Sequence, residues 1–193
     1  FIKRKDDSVA KSAAKAATAL GDMRALGAKV ILTPAAERGT GMVNRANELA
    51  DKYGWFKASQ FTNPANPAYH RNTTGPEILR DFADRRLDYW VTGWGTGGTL
   101  TGAGEVIKAA RPEVKIIATE PEAASLLGGA EWAPHKIQGW TPDFLPEVLS
   151  PDVHDELVPV NLIRLAGPFA QVSVFVAPGN SGGDVESFLI EEA

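Results

Sequence analysis

The sequence predicts an α/β fold built on a parallel sheet. Two observations carry that reading. Short apolar runs such as "LDYWVTG" and "VKIIATEP" alternate with segments of helical periodicity, and this alternation implies parallel strands covered by helices on both faces. One strand-to-helix junction, "VTGWGTGGTLTGAG" from Val91 to Gly104, is crowded with glycine and threonine. Composition agrees: among 193 residues, 44% are hydrophobic and 23% charged, ordinary values for a globular domain.

Taken in order, "DSVAKSAAKAATAL" reads as helix from about Ser8 to Leu20, with Gly21 as its stop. "AKVILT" reads as a short strand ended by Pro34. "GMVNRANELADKYG" places Met42, Val43, Ala46, Leu49 and Ala50 at helical spacing and closes at Gly54. "FKASQF" is a further strand candidate. The Asn-Pro and Gly-Pro pairs of "TNPANPAYHRNTTGPEI" suggest an extended crossing segment, followed by an amphipathic helix over "PEILRDFADRR". Then come strand "LDYWVTG", helix "GTLTGAGEVIKAARP" and strand "VKIIATEP". A loop-rich stretch runs through Pro159, and "VSVFVAPGNSGGDVESFLIEEA" reads as strand, glycine turn and helix.

Charge and cysteine usage exclude several classes. A net charge of -4 argues against a nucleic-acid surface, and the absence of cysteine removes disulfides and thiolate chemistry. No signal-peptide core and no bilayer-length apolar run is visible, so a soluble cytoplasmic protein is expected. Three scattered histidines do not suggest a metal site and read as polar surface or loop residues. The five tryptophans read as packing residues rather than a ligand stack.

The glycine-threonine junction is the strongest chemical signal. A strand that enters a helix through glycines leaves backbone N–H groups at the positive end of the helix dipole, a setting that suits an anion. A P-loop needs a lysine directly after its second glycine, and none follows before Lys108. The dinucleotide fingerprint is met literally by Gly93, Gly95 and Gly98, with Glu120 in place of the ribose-binding acid. On these residues alone, a nicotinamide-binding oxidoreductase stays open beside a phosphate-monoester site.

Four motifs in order, "QFTNPANPAYHRNTTGPEI", "GTGGTLTG", "IIATEPE" and "PHKIQGWTPDFLPEVL", resemble the cysteine synthases (O-acetylserine sulfhydrylases). These belong to the fold-type II, tryptophan synthase β-like, pyridoxal-phosphate enzymes. The resemblance implies a two-lobed parallel-sheet fold, with a smaller substrate-side lobe over residues 1–62 and a larger phosphate-binding lobe over 63–193. It implies that Gly95, Thr96, Gly97, Gly98 and Thr99 cup the phosphate of pyridoxal 5'-phosphate. Gly139 would lie beside the cofactor and Gln60 near the amino-acid substrate. The implied reaction is β-replacement on an O-activated serine by sulfide, giving cysteine, in a cytoplasmic homodimer.

The two ends of the chain test the resemblance. "GNSGG" spells a nucleophile elbow around Ser181, yet no histidine follows it to complete a hydrolase triad in that order. The resemblance instead places Ser181 on the cofactor's pyridine nitrogen, although Gly182 departs from the family's second serine. The family's Schiff-base lysine motif is not intact. Laid ungapped on "DSVAKSAAKAA", its lysine falls on Ala10; a one-residue insertion makes Lys11 the catalytic candidate, ahead of Lys15. The asparagine-bearing substrate loop is missing before "MRALGAKV". The pattern thus fits a shortened enzyme or a catalytically silent, partner-binding relative.

Overall fold

The computed structural model describes residues 20–137 and 139–160, and the chain divides into two compact units, Phe1–Glu37 and Arg38–Ala193. The expected helix from Ser8 lies mostly outside the described residues. Its visible end, α1 over residues 20–25, passes through Gly21 and stops at Gly27. A φ of +87° puts Gly27 in the left-handed region. Its N–H donates to the Arg24 carbonyl at 3.0 Å, and that of Ala28 to Met23 at 2.9 Å, a two-bond cap over the last helical carbonyls. The correction from Gly21 to Gly27 has a simple cause. A helix tolerates an internal glycine for about 1 kcal/mol, whereas a left-handed cap favours glycine strongly. "AKVILT" forms no strand among the described residues, and Ile31 and Leu32 remain exposed; an apolar run becomes a strand only where a ladder partner exists.

The second unit follows α2 (Arg38–Tyr53), α3 (Ala65–Asn72), α4 (Thr74–Asp81), β1 (Tyr89–Gly93), α5 (Gly98–Ala110), β2 (Lys115–Pro121) and β3 (Glu156–Val160). The sheet order is β1-β2-β3, parallel throughout, as the alternating pattern predicts. Three expectations fail here. "FKASQF" is a turn: Ser59 takes a φ of +42° and its carbonyl accepts the N–H groups of Thr62 and Asn63. The proline-rich crossing segment is helical: it forms α3 and the start of α4, which continues into the amphipathic helix expected from Pro76. Pro64 precedes α3, while Pro67 and Pro76 fall in first turns, where the missing N–H has no intrahelical acceptor anyway. Asn63 Oδ1 accepts the Ala65 N–H at 3.0 Å and helps start the helix. The stretch before Pro159 ends in β3, with Pro159 opposite Glu120 in register.

The core lies between α5 and the sheet. Leu100, Ala103 and Ile107 meet Trp90, Val114, Ile116 and Ala118, all essentially removed from solvent. Ile78, Leu79 and Phe82, half-buried, extend this core from α4 and the turn after it. Close approach is enforced at Gly102, where a Cβ would stand well under 3.0 Å from the Pro67 carbonyl oxygen of α3. Arg111, at the end of α5, donates to the Phe82 carbonyl at 2.7 Å and so caps α4.

One ion-pair cluster fastens β2, β3 and α5 together. Asp155 accepts from Lys108 Nζ at 2.8 Å and from the Ile116 N–H at 2.7 Å, with Lys115 also near. Lys108 additionally donates to the Val114 carbonyl at 2.8 Å. The Lys108 bond first, then the Ile116 N–H, holds the Asp155 carboxyl below its ordinary range.

Two outcomes are expected. Gly102→Ala gains helix propensity but overpacks against Pro67, so urea unfolding should show a net loss of about 1–2 kcal/mol. Because the native carboxyl is depressed, the Asp155 contribution is complete above the ordinary aspartate range. It drains away as pH falls below that range, since the unfolded chain binds the proton first. Asp155→Ala should cost about 1–3 kcal/mol at neutral pH and flatten the acid limb of the stability curve.

Candidate functional site

The site begins where β1 runs out. Gly93 ends the strand, residues 94–97 form the turn, and Gly97 takes a φ of +82° before α5 begins at Gly98. Leu149 fixes the turn from one side, since a Cβ on Gly97 would meet its Cδ1 at 2.5 Å. The first intrahelical acceptance is by the Gly97 carbonyl from Thr101, at 2.9 Å. The N–H groups of Gly95, Thr96, Gly97, Thr99 and Leu100 have no acceptor among the described residues. These amides, at the positive end of a 13-residue helix, are the donor set an oxyanion requires.

Side chains complete the set. Asn66 of α3 donates through Nδ2 to the Gln60 carbonyl at 2.9 Å and to Thr96 Oγ1 at 2.8 Å. Thr96 Oγ1 also accepts the Gly98 N–H at 3.3 Å, so both acceptor positions are used and its own proton is left to donate. Thr99 Oγ1 pairs with His70 Nε2 at 3.1 Å, and His70 Nδ1 with Thr74 Oγ1 at 2.8 Å. Burial holds the His70 imidazole below its ordinary pKa, so it is neutral at pH 7, with one nitrogen donating and the other accepting.

A third segment closes the site. The Thr141 N–H donates to the Trp94 carbonyl at 2.9 Å. Gly95 faces the Gly139 carbonyl so closely that a Cβ would not fit, and Gly139 itself has a φ of +78°. The result is a pocket with about 290 Å³ of empty space, part of it open to solvent. Its walls are Gly93–Gly97, Thr99, Leu100 and Trp140.

The sequence-predicted residues fall as follows. Gly95, Thr96, Gly97, Gly98, Thr99 and Gly139 come together around this pocket. Gln60 joins through its backbone carbonyl, by way of Asn66. Lys11 and Ser181 lie outside the described residues. Glu120 is not available to a ribose: it is fully buried, and its carboxylate accepts from Ser125 Oγ, Leu127 N–H and Gly128 N–H at 2.5, 3.1 and 3.0 Å. That removes the acid on which the dinucleotide reading depended. Asn66, His70 and Trp140 were not singled out in the sequence; His70 is a bridging residue rather than a loop side chain, and Trp140 lines the pocket.

Residues 9–173 match the family model described as "Pyridoxal-phosphate dependent enzyme". The chain belongs to that family. It is 55% identical over 136 residues to an O-ureido-L-serine synthase of Streptomyces lavendulae, covering 70% of this chain and 42% of that one. It is 44% identical over 138 residues to a cysteine synthase of Staphylococcus aureus, covering 72% and 44%. A crystal structure of O-ureido-L-serine synthase superposes with a TM-score of 0.70 at 53% identity, over 73% of this chain and 45% of that chain. A cysteine synthase from Entamoeba histolytica gives 0.65 at 36%, over 72% and 41%. The fold is therefore the α/β parallel-sheet fold of the fold-type II pyridoxal-phosphate enzymes. The chain spans less than half the length of these relatives.

The residues present fit the family's cofactor at its phosphate end: unpaired amides, a donor hydroxyl on Thr96 and no carboxylate among the pocket walls. Asn66→Asp replaces the donor to Thr96 with a charge beside the pocket. Titration calorimetry should show phosphate affinity falling about 10-fold or more, with a stability loss of about 1–3 kcal/mol.

Proposed function

We propose that this chain carries the cofactor-phosphate cradle of an enzyme that performs β-replacement on an O-activated serine, with sulfide as nucleophile and cysteine as product. The observation that carries the reading is the row of unpaired amides at the head of α5, framed by Asn66 and Gly139 in the order the four family motifs require. When bound, pyridoxal phosphate supplies the electron sink that accepts charge from the amino acid's α-carbon while the β-leaving group departs.

The chain's own residues have distinct tasks in this reading. Amides of Gly95, Gly97 and Thr99 and the Thr96 hydroxyl anchor the phosphate through charge-assisted hydrogen bonds. Lys11 is the candidate amine that attaches the cofactor and moves the α-proton, and Ser181 the candidate partner of the ring nitrogen. Gln60 is the candidate substrate-orienting side chain. The β-oxygen leaves with its bonding electrons as the carboxylate of the activating group, and the nucleophile bonds to the β-carbon. A cytoplasmic homodimer is part of the same proposal.

A second nucleophile has its own support. The higher identity is to an O-ureido-L-serine synthase, 55% against 44% for the cysteine synthase. By atom balance, O-ureido-L-serine arises from the same activated serine when hydroxyurea adds through oxygen in place of sulfide.

Borohydride reduction in the presence of pyridoxal phosphate, followed by peptide mass spectrometry, tests the assignment. The expected result is one pyridoxyl adduct, on Lys11, lost in Lys11→Ala. Phosphate-site binding with no lysine adduct would support the catalytically silent relative instead. With O-acetylserine supplied, competition between sulfide and hydroxyurea then reads the nucleophile from the product's mass.

A further inference from the structure

The walls of the pocket are not all of the kind a phosphate uses. Trp140 lines it alongside the glycine loop and is only partly buried, whereas the other indole of the wall, Trp94, is almost wholly buried. Its position is fixed tightly. Three indole atoms, Cζ2, Cε2 and Cη2, lie where a Cβ on Gly93 would have to go, all well under 3.0 Å from it. Backbone contacts on both sides prevent withdrawal: the Thr141 N–H donates to the Trp94 carbonyl at 2.9 Å, and the Gly139 carbonyl abuts Gly95. Thr141 is held at a φ of +33°, a costly conformation for a β-branched residue. The fold therefore accepts strain on one side of Trp140 and forbids a side chain at Gly93 beneath it.

An anion site has no use for such a surface. A phosphate ester of a planar heteroaromatic alcohol does, because one methylene joins its phosphate to its ring. One methylene keeps such a ring close to a phosphate held at the head of α5, and Trp140 offers a flat indole edge or face at the mouth of the same pocket. We propose that Trp140 is a cofactor-positioning residue, an aromatic wall that packs against the heteroaromatic ring of the phosphate ester held by the glycine loop. The inference rests on the reading of the pocket as a pyridoxal-phosphate site, and it replaces the expectation that the tryptophans serve only for packing. Trp140 contributes to selection of the ring and leaves the phosphate to the amides.

The test compares two probes on the full chain, inorganic phosphate and pyridoxal phosphate, by calorimetry and by tryptophan emission. Trp140→Leu keeps apolar volume and removes the aromatic surface. It should bind inorganic phosphate as the parent does, within about 2-fold, and pyridoxal phosphate about 3- to 10-fold more weakly. Trp140→Phe should restore most of that loss while removing the share of emission that pyridoxal phosphate quenches through Trp140. Equal loss of both probes in Trp140→Leu would mark a merely structural residue and overturn the proposal. So would unchanged pyridoxal-phosphate affinity. If the parent binds phosphate but not pyridoxal phosphate, the functional reading itself falls, a result distinct from either variant outcome.

Discussion

The N–H groups of Gly95, Gly97, Thr99 and Leu100 have no acceptor among the described residues, and the rest of the described fold is arranged around that fact. Unpaired donors at a helix head are tolerable only where water or a ligand reaches them. The sheet delivers them to its own carboxyl edge, because β1 ends at Gly93 and α5 begins five residues later. Burial of Leu100, Ala103 and Ile107 against Trp90 and Ile116 fixes the helix, so its first turn cannot shift to satisfy itself. Gly102 lets α3 come close enough for Asn66 to reach Thr96. In the proposed role as a phosphate cradle, this rigid placement of donors leaves little ordering cost for binding.

How much of this was legible in the sequence differs by element. β1, α5 and β2 were, because their apolar periods switch cleanly from strand to helix and glycines mark the junction. α3 was not, and α4 was legible only from Pro76 onward. Pro64 and Pro67 each signal extended chain by themselves, yet both sit at the start of α3, a distinction that depends on register rather than composition. β3 was hidden for a different reason: Pro159 interrupts the run of Leu157, Val158 and Val160 and argues against a strand, and its pairing is set by β2 and by Asp155 bonding to the Ile116 N–H. "AKVILT" shows the converse, strand character without a ladder among the described residues.

At the site, the glycine loop was readable because its requirement is local. Asn66 lies 30 positions from Thr96 and His70 29 from Thr99, and no local pattern announces such pairings. Glu120 matched a ribose-binding acid by spacing alone, and only the three donors around its carboxylate reveal it as the anchor of the 125–128 turn. Spacing can nominate a residue; the count of partners decides whether it has capacity left for a ligand. The family match supplies the cofactor class, while the identity of the nucleophile depends on residues beyond the cradle, and the matched region covers less than half of each relative compared.

The central claim is that main-chain amides at the head of α5 grip the phosphate of the cofactor. Amide-resolved ¹⁵N–¹H correlation spectra, recorded while pyridoxal phosphate is titrated into the chain, address it directly. The account predicts saturable downfield movement of the Gly95, Gly97, Thr99 and Leu100 amides ahead of all others, as each gains a charged acceptor. If those four resonances stay still while pyridoxal phosphate binds elsewhere, or does not bind, the account is contradicted.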